Sequence, residues 1–190
     1  VVYVGKIPKK YDLRQEGYVT SIKDQGDGGN CWAFAIMAAL ESSILKASGY
    51  NWDLSEGNLK NLMSMFSDYG KNKVPNDGGS ENMGIAYLAS WLGPVNESLD
   101  EYDDFNMLSN VFNSIVHVQN AVFLSRSDFT DNDAIKKAIL NYGAVYSGIY
   151  MDEDYFDSIY SSYYYDDDFD YTNHAVVIVG WDDNYSKSNF

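Results

Sequence analysis

A single cysteine stands where a glycine-rich loop runs into an apolar helical stretch. The loop is residues 25–30, the cysteine is Cys31, and residues 32–35 that follow it are apolar. A thiol in the first turn of a helix faces backbone N–H groups without partners and the positive end of the helix dipole, and both favour thiolate over thiol. The junction therefore predicts a nucleophile at Cys31.

Two more residues could assist this nucleophile. Gln25 lies across the loop, where its side-chain amide could bind an oxyanion that forms beside the Cys31 backbone N–H. His174 opens the apolar run 175–179, and its imidazole could accept the thiol proton and later protonate a leaving amine. A cysteine and a histidine in these roles predict acyl transfer through a thioester.

The sequence around both residues resembles one enzyme family. Residues 25–34 closely resemble the signature of papain-like (C1 family) cysteine peptidases, Gln-Gly-x-Cys-Gly-Ser-Cys-Trp-Ala-Phe, and residues 173–176 resemble the family's histidine motif. The likeness is closest to prokaryotic surface or secreted members. It implies a cysteine endopeptidase with Cys31 as nucleophile, His174 as general base and then acid, and Gln25 in the oxyanion hole.

The same resemblance implies a substrate-binding surface. In the family a Gly-Gly backbone lines the cleft and pairs with an extended peptide as an edge strand would, and Gly78 and Gly79 are the candidates here. Ala175, directly after the histidine, matches a position that lines the main side-chain pocket. Gly148 and Thr172 align there more loosely. The partner implied by this surface is a protein or peptide substrate.

The chain departs from the family at a disulfide. Many members have a cysteine at the position of Gly28, with its partner a few residues before the Gly-Gly pair, where Asn76 stands here. Asn30 replaces the usual serine. Both ends of the bridge are therefore absent together, as expected for a consistent disulfide-free variant.

A second departure concerns the third catalytic residue. Family members carry an asparagine in an Asn-Ser-Trp motif after the Val-Gly-Trp segment, and it orients the imidazole. This chain ends at Phe190 before any such motif, and Asn173 matches a variable family position instead. We therefore expect a C-terminally truncated chain rather than a poorly oriented dyad.

Composition narrows the class of protein. With 190 residues, 45% hydrophobic and 22% charged, the chain can bury one good core or two modest lobes. A formal net charge of −15 argues against nucleic acid and anionic membrane surfaces as partners. One cysteine excludes an intramolecular disulfide framework and a multi-cysteine metal site, and the predicted chemistry needs no cofactor and no metal. We expect no bilayer-spanning run and no leader sequence, as in a mature or trimmed form.

An α+β fold with two lobes must bring the predicted site together. Helical spacing of apolar residues predicts helices at about 30–49, 55–66, 81–91 and 133–141. Asn30 can cap the first helix and Gly49 can end it. Ser55 or Asp53 can cap the second, whose predicted buried stripe is Leu59, Leu62, Met63 and Phe66. Alternating or β-branched runs predict strands at 115–124, 144–150 and 174–181. The expected division is an N-terminal arm (1–12), a helical lobe (13–104) and an antiparallel β-rich lobe (105–190), with the cleft between the lobes. Cys31 then comes from the helical lobe and His174 from the β-rich lobe.

Other interpretations stand beside this one. The scaffold could serve an exopeptidase or acyl-transferase, or a non-catalytic peptide-binding or surface module. His117, in an alternating stretch without motif neighbours, is interpreted as structural. The acidic, tyrosine-rich residues 152–170 are interpreted as a solvated loop rather than a calcium site. We expect an extracellular or cell-surface protein, which further domains or a cleaved remainder could accompany.

Overall fold

The computed structural model describes residues 4–166, 171–186 and 188. Along the chain the helices and strands are β1 (Lys10–Asp12), α1 (Cys31–Ser48), α2 (Glu56–Leu62), α3 (Glu81–Ala89), α4 (Asp133–Tyr142), β2 (Val145–Ile149), β3 (Phe156–Asp157), β4 (Ser162–Tyr163), β5 (His174–Ile178) and β6 (Gly180–Asp182). Single 3₁₀ turns lie at Glu97–Leu99 and Glu153–Tyr155. Within these described ranges, three of the four helices thus precede residue 104, and five of the six strands follow it.

Helix α1 begins and ends close to the predicted positions. Gly49 closes it in the left-handed region at φ 76°, with its N–H bonded to the Leu45 carbonyl, as a glycine terminator should. Asn30 occupies the N-cap position, but its side chain makes no capping hydrogen bond. Asn30 is thus at the predicted N-cap position without a capping hydrogen bond, and its Nδ2 donates to Asn76 and Tyr102 instead.

Helix α1 is buried on several sides rather than along one stripe. Its buried residues are Trp32, Ala33, Ala35, Ile36, Met37, Glu41 and Ser42. The apolar ones belong to the core that also holds Leu59 of α2 and Met83 and Tyr87 of α3. At 18 residues α1 is long and apolar enough by composition to cross a membrane, contrary to expectation. Its packing against α2, α3, α4, β2 and β5 and its buried Glu41 are those of a core helix.

Helix α2 follows its predicted cap but ends early. Ser55 Oγ accepts a hydrogen bond from the Asn58 N–H, as expected of an N-cap serine. The buried residues of the predicted stripe are Leu59, Leu62 and Met63. Phe66 is 52% exposed, so its predicted burial is wrong; the helix stops at Leu62 and the helical spacing no longer applies there.

Among the described residues, the strands form three antiparallel pairs. β2 pairs with β5 in a register that sets Ile149 opposite His174. β1 pairs with β6, with Tyr11 opposite Trp181, and β3 pairs with β4. The N-terminal arm therefore forms a strand at Lys10–Asp12, paired with residues near the other end of the chain; residues 1–3 of the predicted arm lie outside the described residues.

Two strand predictions need correction. The predicted strand at 174–181 is two strands, since β5 ends at Ile178 and the Val179 carbonyl accepts the Leu13 N–H (2.9 Å). The stretch 115–124 forms no strand, and within it Phe123 is 73% exposed. An alternating pattern becomes a strand only where a neighbour can share its backbone hydrogen bonds, and among the described residues no strand pairs with this stretch.

Candidate active site

The loop before Cys31 is held by residues distant in sequence. The Gly29 N–H donates to the Asn76 carbonyl (3.0 Å). Asn30 Nδ2 donates to Asn76 Oδ1 and to Tyr102 Oη, both at 2.9 Å. Cys31 follows as the first residue of α1 and is half-buried. The thiol is thus located at a helix N-terminus whose approach is fixed by three hydrogen bonds.

The position expected for a disulfide is filled by amide groups. A Cβ built on Gly28 would lie 3.3 Å from Asn76 Cγ and 2.5 Å from Asn30 Nδ2. The two positions paired by the family resemblance are therefore neighbours in this fold. The Asn30–Asn76 hydrogen bond joins the two chain segments that a bridge would join.

Hydrogen bonds hold both the side chain and the backbone carbonyl of Gln25. Its Nε2 donates to the Gly28 carbonyl (2.9 Å), and its own carbonyl accepts the Tyr102 hydroxyl (2.6 Å). Burial raises the pKa of Tyr102, which keeps its hydroxyl a donor. A carboxamide nitrogen carries two hydrogens, so Gln25 retains a second N–H for another acceptor.

His174 comes from the other part of the chain, as the first residue of β5. The preceding Asn173 fixes this end of the strand, because its N–H donates to the Ile149 carbonyl (3.0 Å). Its side-chain amide accepts from the Met151 N–H (2.7 Å) and donates to the Met151 carbonyl (2.9 Å). Asn173 therefore holds the backbone beside His174, with its amide bonded to Met151.

Cys31, His174 and Gln25 line one cavity of about 410 Å³. Ala175 lines it too and is 8% exposed. The structure therefore brings the predicted nucleophile, base and oxyanion donor to one space, together with one of the three predicted substrate-binding residues.

Gly78 and Gly79 run along the start of α1. A Cβ on Gly79 would lie 2.2 Å from Trp32 Cε2, and a Cβ on Gly29 would lie 2.9 Å from the Gly78 nitrogen. Gly78 has φ 78°, so both positions need glycine, one for its conformation and one for its close approach. This backbone passes beside the residues that flank Cys31.

Gly148 and Thr172, the two loosely aligned positions, are neighbours. Gly148 stands opposite Ala175 in the β2–β5 register. A Cβ on Gly148 would lie 3.2 Å from Thr172 Oγ1. Both positions therefore lie close to Ala175.

The other singled-out residues lie apart from the cavity lining. His117 stacks on Trp91 with ring centroids 4.2 Å apart and planes inclined by 12°. In the described part of 152–170 the tyrosines pack on each other, for example Tyr155 and Tyr165 at 5.0 Å. Within residues 4–166, 171–186 and 188, no group of three or more His, Cys, Asp or Glu side chains is arranged to hold a metal ion.

A buried charge cluster beside the cavity was missed by sequence reasoning. We call Lys23, Glu41, Asp53 and Glu56 the Lys23 cluster. Lys23 Nζ lies 2.9 Å from Glu41 and Glu56 and 2.8 Å from Asp53, and all but Asp53 line the cavity. The signal was available, since Glu41 interrupts the apolar run of α1, and a carboxylate at such a position is buried only with a partner.

The pKa values of Glu56 and Lys23 are both raised, which favours a neutral Glu56 and a charged Lys23. Burial raises the pKa of Glu56 to about 8, although Lys23 acts to lower it. Burial also disfavours the ammonium charge of Lys23, but the three carboxylates outweigh this and raise the pKa of Lys23. One cation thus faces three carboxyl groups, and Glu56 is the one that tends to keep its proton.

Known proteins with similar sequences are cysteine peptidases. A family model described as papain family cysteine protease matches residues 7–190. Pro-cathepsin H of Mus musculus is 30% identical over 183 residues, which cover 93% of this chain and 53% of that protein. Cathepsin L of Sarcophaga peregrina is 27% identical over 186 residues, covering 97% of this chain and 53% of that protein. The chain thus spans about half the length of these relatives.

Solved structures agree with the fold. The cysteine protease and lectin-like domains of Cwp84, a surface layer associated protein of Clostridium difficile, match with a TM-score of 0.76 and 31% identity, over 100% of this chain and 42% of that one. The bromelain protease of Ananas comosus in complex with the E64 inhibitor matches with a TM-score of 0.75 and 20% identity, over 93% and 77%, and shows likeness of fold alone. The predicted papain-like α+β fold is confirmed.

Proposed function

The chain belongs to the papain family of cysteine proteases, and from this membership we propose that the protein is a cysteine endopeptidase with its nucleophile at Cys31. The observation that carries the proposal is the cavity that Cys31, His174 and Gln25 line together. The loop hydrogen bonds that hold Gln25 and the start of α1 support it, because catalysis needs these groups in a fixed geometry.

In the proposed reaction the Cys31 thiolate attacks the carbonyl carbon of the scissile peptide bond. A C–S bond forms, and the carbonyl oxygen becomes an oxyanion bound by the Cys31 backbone N–H and the second N–H of Gln25. His174, which holds the thiol proton, gives it to the nitrogen as the C–N bond breaks. A water molecule then adds to the thioester carbonyl while His174 takes its proton, and the acid leaves as the thiolate re-forms.

We propose that the substrate lies in the cleft between residues 13–104 and 105–190. Its backbone would pair with the Gly78–Gly79 edge, as a peptide adds to an exposed strand, and one of its side chains would lie against Ala175. The glycine backbone is suited to this role because Gly79 is exposed.

We further propose an extracellular or cell-surface setting in a prokaryote. The support is the similarity to Cwp84, which is described as surface layer associated and carries lectin-like domains. By the same analogy, further domains would accompany the peptidase, and its partners would be protein or peptide substrates.

Labelling with an epoxide or iodoacetamide probe tests the proposal. We expect selective modification of Cys31, and we expect Cys31→Ser to remove both labelling and peptide hydrolysis with little effect on folding. His174→Ala should abolish selective labelling, whereas His117→Ala, the matched control at the other histidine, should leave it unchanged. Ordinary thiol reactivity that is insensitive to His174→Ala, or turnover retained in Cys31→Ser, would overturn the proposal and favour a binding module.

A further inference from the structure

Glu81 has no role in the reaction above, yet it stands at the edge of the proposed substrate surface. It is the first residue of α3 and follows Gly79 by two positions. It is half-buried. Among the described residues no lysine, arginine or histidine nitrogen pairs with its carboxylate within 4.0 Å. Its recorded side-chain contact is a long hydrogen bond from Asn82 Nδ2 (3.3 Å).

Glu81 lines a second groove, which adjoins the cavity that holds Cys31 at Ala144. The groove has a volume of about 660 Å³, and apolar side chains from α1, α3, β2 and β5 form much of its wall, among them Ile36, Ile85, Tyr146 and Ile178. Arg126 also lines the groove, but its guanidinium donates to the backbone carbonyls of Phe129 and Asp131. A carboxylate beside apolar side chains favours a ligand that combines an aliphatic stem with a cationic end. Lysine and arginine side chains have this form.

Tyr146 connects the groove to the nucleophile. Burial raises the pKa of Tyr146 to about 12, and negative charge on Glu81 and on Cys31 adds to the shift. Both side chains are thus within electrostatic reach of the Tyr146 hydroxyl. Cys31 and Tyr146 also pack against the same core cluster. Tyr146 precedes Gly148 by two positions on β2, and Gly148 stands opposite Ala175. The groove therefore reaches the proposed substrate surface, where a side chain of a peptide undergoing cleavage can enter it.

We propose that Glu81 is a specificity-determining residue that selects peptides placing a lysine or arginine side chain in this groove. The inference rests on the proposed peptidase function and adds a substrate class to it. A glutamate in the first turn also stabilises a helix by interacting with the helix dipole. The test therefore needs a measurement that does not depend on helix stability.

The experiment is a scan of fluorogenic peptides with lysine, arginine, norleucine or glutamate at each position on both sides of the scissile bond. We expect kcat/KM to be at least tenfold higher for lysine or arginine than for norleucine at one position. Glu81→Gln should abolish that preference while retaining cleavage of the norleucine peptide. Glu81→Lys should shift the preference toward glutamate.

Asp77→Asn is the matched control, because Asp77 is an exposed acid just before the glycine pair and lies outside both cavity linings. It should leave the preference unchanged. An equal loss of the preference for lysine or arginine in Asp77→Asn and Glu81→Gln would show that it comes from the overall negative charge of the protein, and would overturn the inference. So would a preference that is absent, or that survives in Glu81→Gln. Failure of the unmodified protein to cleave any peptide would instead overturn the peptidase assignment, and this inference with it.

Discussion

The two parts of the molecule that supply the cysteine and the histidine are packed very differently. Before residue 104 a continuous core of buried apolar side chains surrounds α1. After residue 104 the buried apolar side chains of the described residues are Ala138, Ile139 and Ala175. The location of Cys31 is thus set by a close-packed core, whereas that of His174 depends on the β2–β5 pair, the packing of β5 against α1 and a few hydrogen bonds. Substitutions in the first part should therefore lower the free energy of unfolding, and substitutions in the second part should displace His174.

The largest expected effect is loss of the cation in the Lys23 cluster. Lys23→Ala leaves Glu41, which is 1% exposed, without its counter-charge, and it removes the ammonium donor to the buried Glu56. Breaking a buried ion pair in this way destabilises proteins by about 3–5 kcal/mol. We expect a decrease of this order in the free energy of unfolding, measured by urea denaturation.

Lys10→Ala is the matched control, because it removes a lysine from an exposed ion pair rather than from a buried one. Lys10 pairs with Asp182 at 3.0 Å between β1 and β6, and its side chain is 58% exposed. Exposed pairs contribute about 0–1 kcal/mol. If Lys23→Ala cost no more than Lys10→Ala, the cluster would not be a stabilising feature of the first part.

A second substitution set tests whether the amide contact at the nucleophile loop replaces a disulfide. In a Cys31→Ser background, which avoids mispairing, Gly28→Cys and Asn76→Cys should form a bridge. Asn30→Ser is needed as well, because Asn30 Nδ2 occupies the space of the new Cβ. The oxidised form should gain about 2–4 kcal/mol over the reduced form.

The comparison of oxidised and reduced samples of the same variant is the control for that gain. Mass spectrometry would report the bridge, and urea denaturation the stability. Failure of the bridge to form under oxidising conditions would show that residues 28 and 76 are not neighbours in the native protein.

The third prediction concerns the pH dependence of stability. The pKa of Glu56 rises from 4.5 to about 8 in the folded protein. Between these values the folded state keeps a proton that the unfolded chain has released. The stabilising contribution is therefore complete below pH 4.5 and lost as the pH rises through about 8. The slope for one proton is at most about 1.4 kcal/mol per pH unit.

In Glu56→Gln the side chain at this position cannot ionise in either the folded or the unfolded state. Thermal unfolding of both proteins across that pH window should show a steeper loss of stability in the unmodified protein. Subtracting the two curves cancels the other titrating groups. Parallel curves would mean that Glu56 ionises normally in the fold.

The elements predicted correctly from the sequence are those fixed by local signals. Gly49 ends α1 and Ser55 begins α2 because a left-handed terminator and a side-chain cap act within one helical turn. The predicted burial of Phe66 and the predicted strand at 115–124 were wrong, because burial and strand pairing depend on the positions of segments distant in sequence. The pattern of a strand was present at 115–124, but a partner strand was not.

The candidate site follows the same division. The resemblance in motifs identified Cys31, His174 and Gln25, and the structure brings them to one cavity. It could not identify Asn76 and Tyr102, whose contacts with the loop span 46 and 72 residues of sequence. Side chains that orient a motif from elsewhere in the chain carry no pattern of their own, and only the fold identifies them.

The smallest expected effect on stability belongs to the thinly packed part. Asn173→Ala removes two side-chain hydrogen bonds to Met151 at an exposed position. Such bonds contribute about 0.5–1.5 kcal/mol each, and solvation of the freed Met151 groups should hold the net loss near the low end. The strand end at His174 should nevertheless loosen, so we expect kcat for peptide hydrolysis to fall by about threefold to tenfold, about 0.7–1.4 kcal/mol in activation free energy.

Asn96→Ala is the counterpart in the densely packed part, where Asn96 Oδ1 accepts from the Ser98 N–H (3.0 Å) and hydroxyl (2.6 Å). It removes a similar number of hydrogen bonds far from the histidine in sequence, so it should change stability by a similar amount and leave kcat unchanged. Equal effects of the two variants on kcat would mean that both report general loosening. A selective loss of kcat in Asn173→Ala would show that the position of the histidine depends on this small set of hydrogen bonds in addition to the packing of β5 against α1.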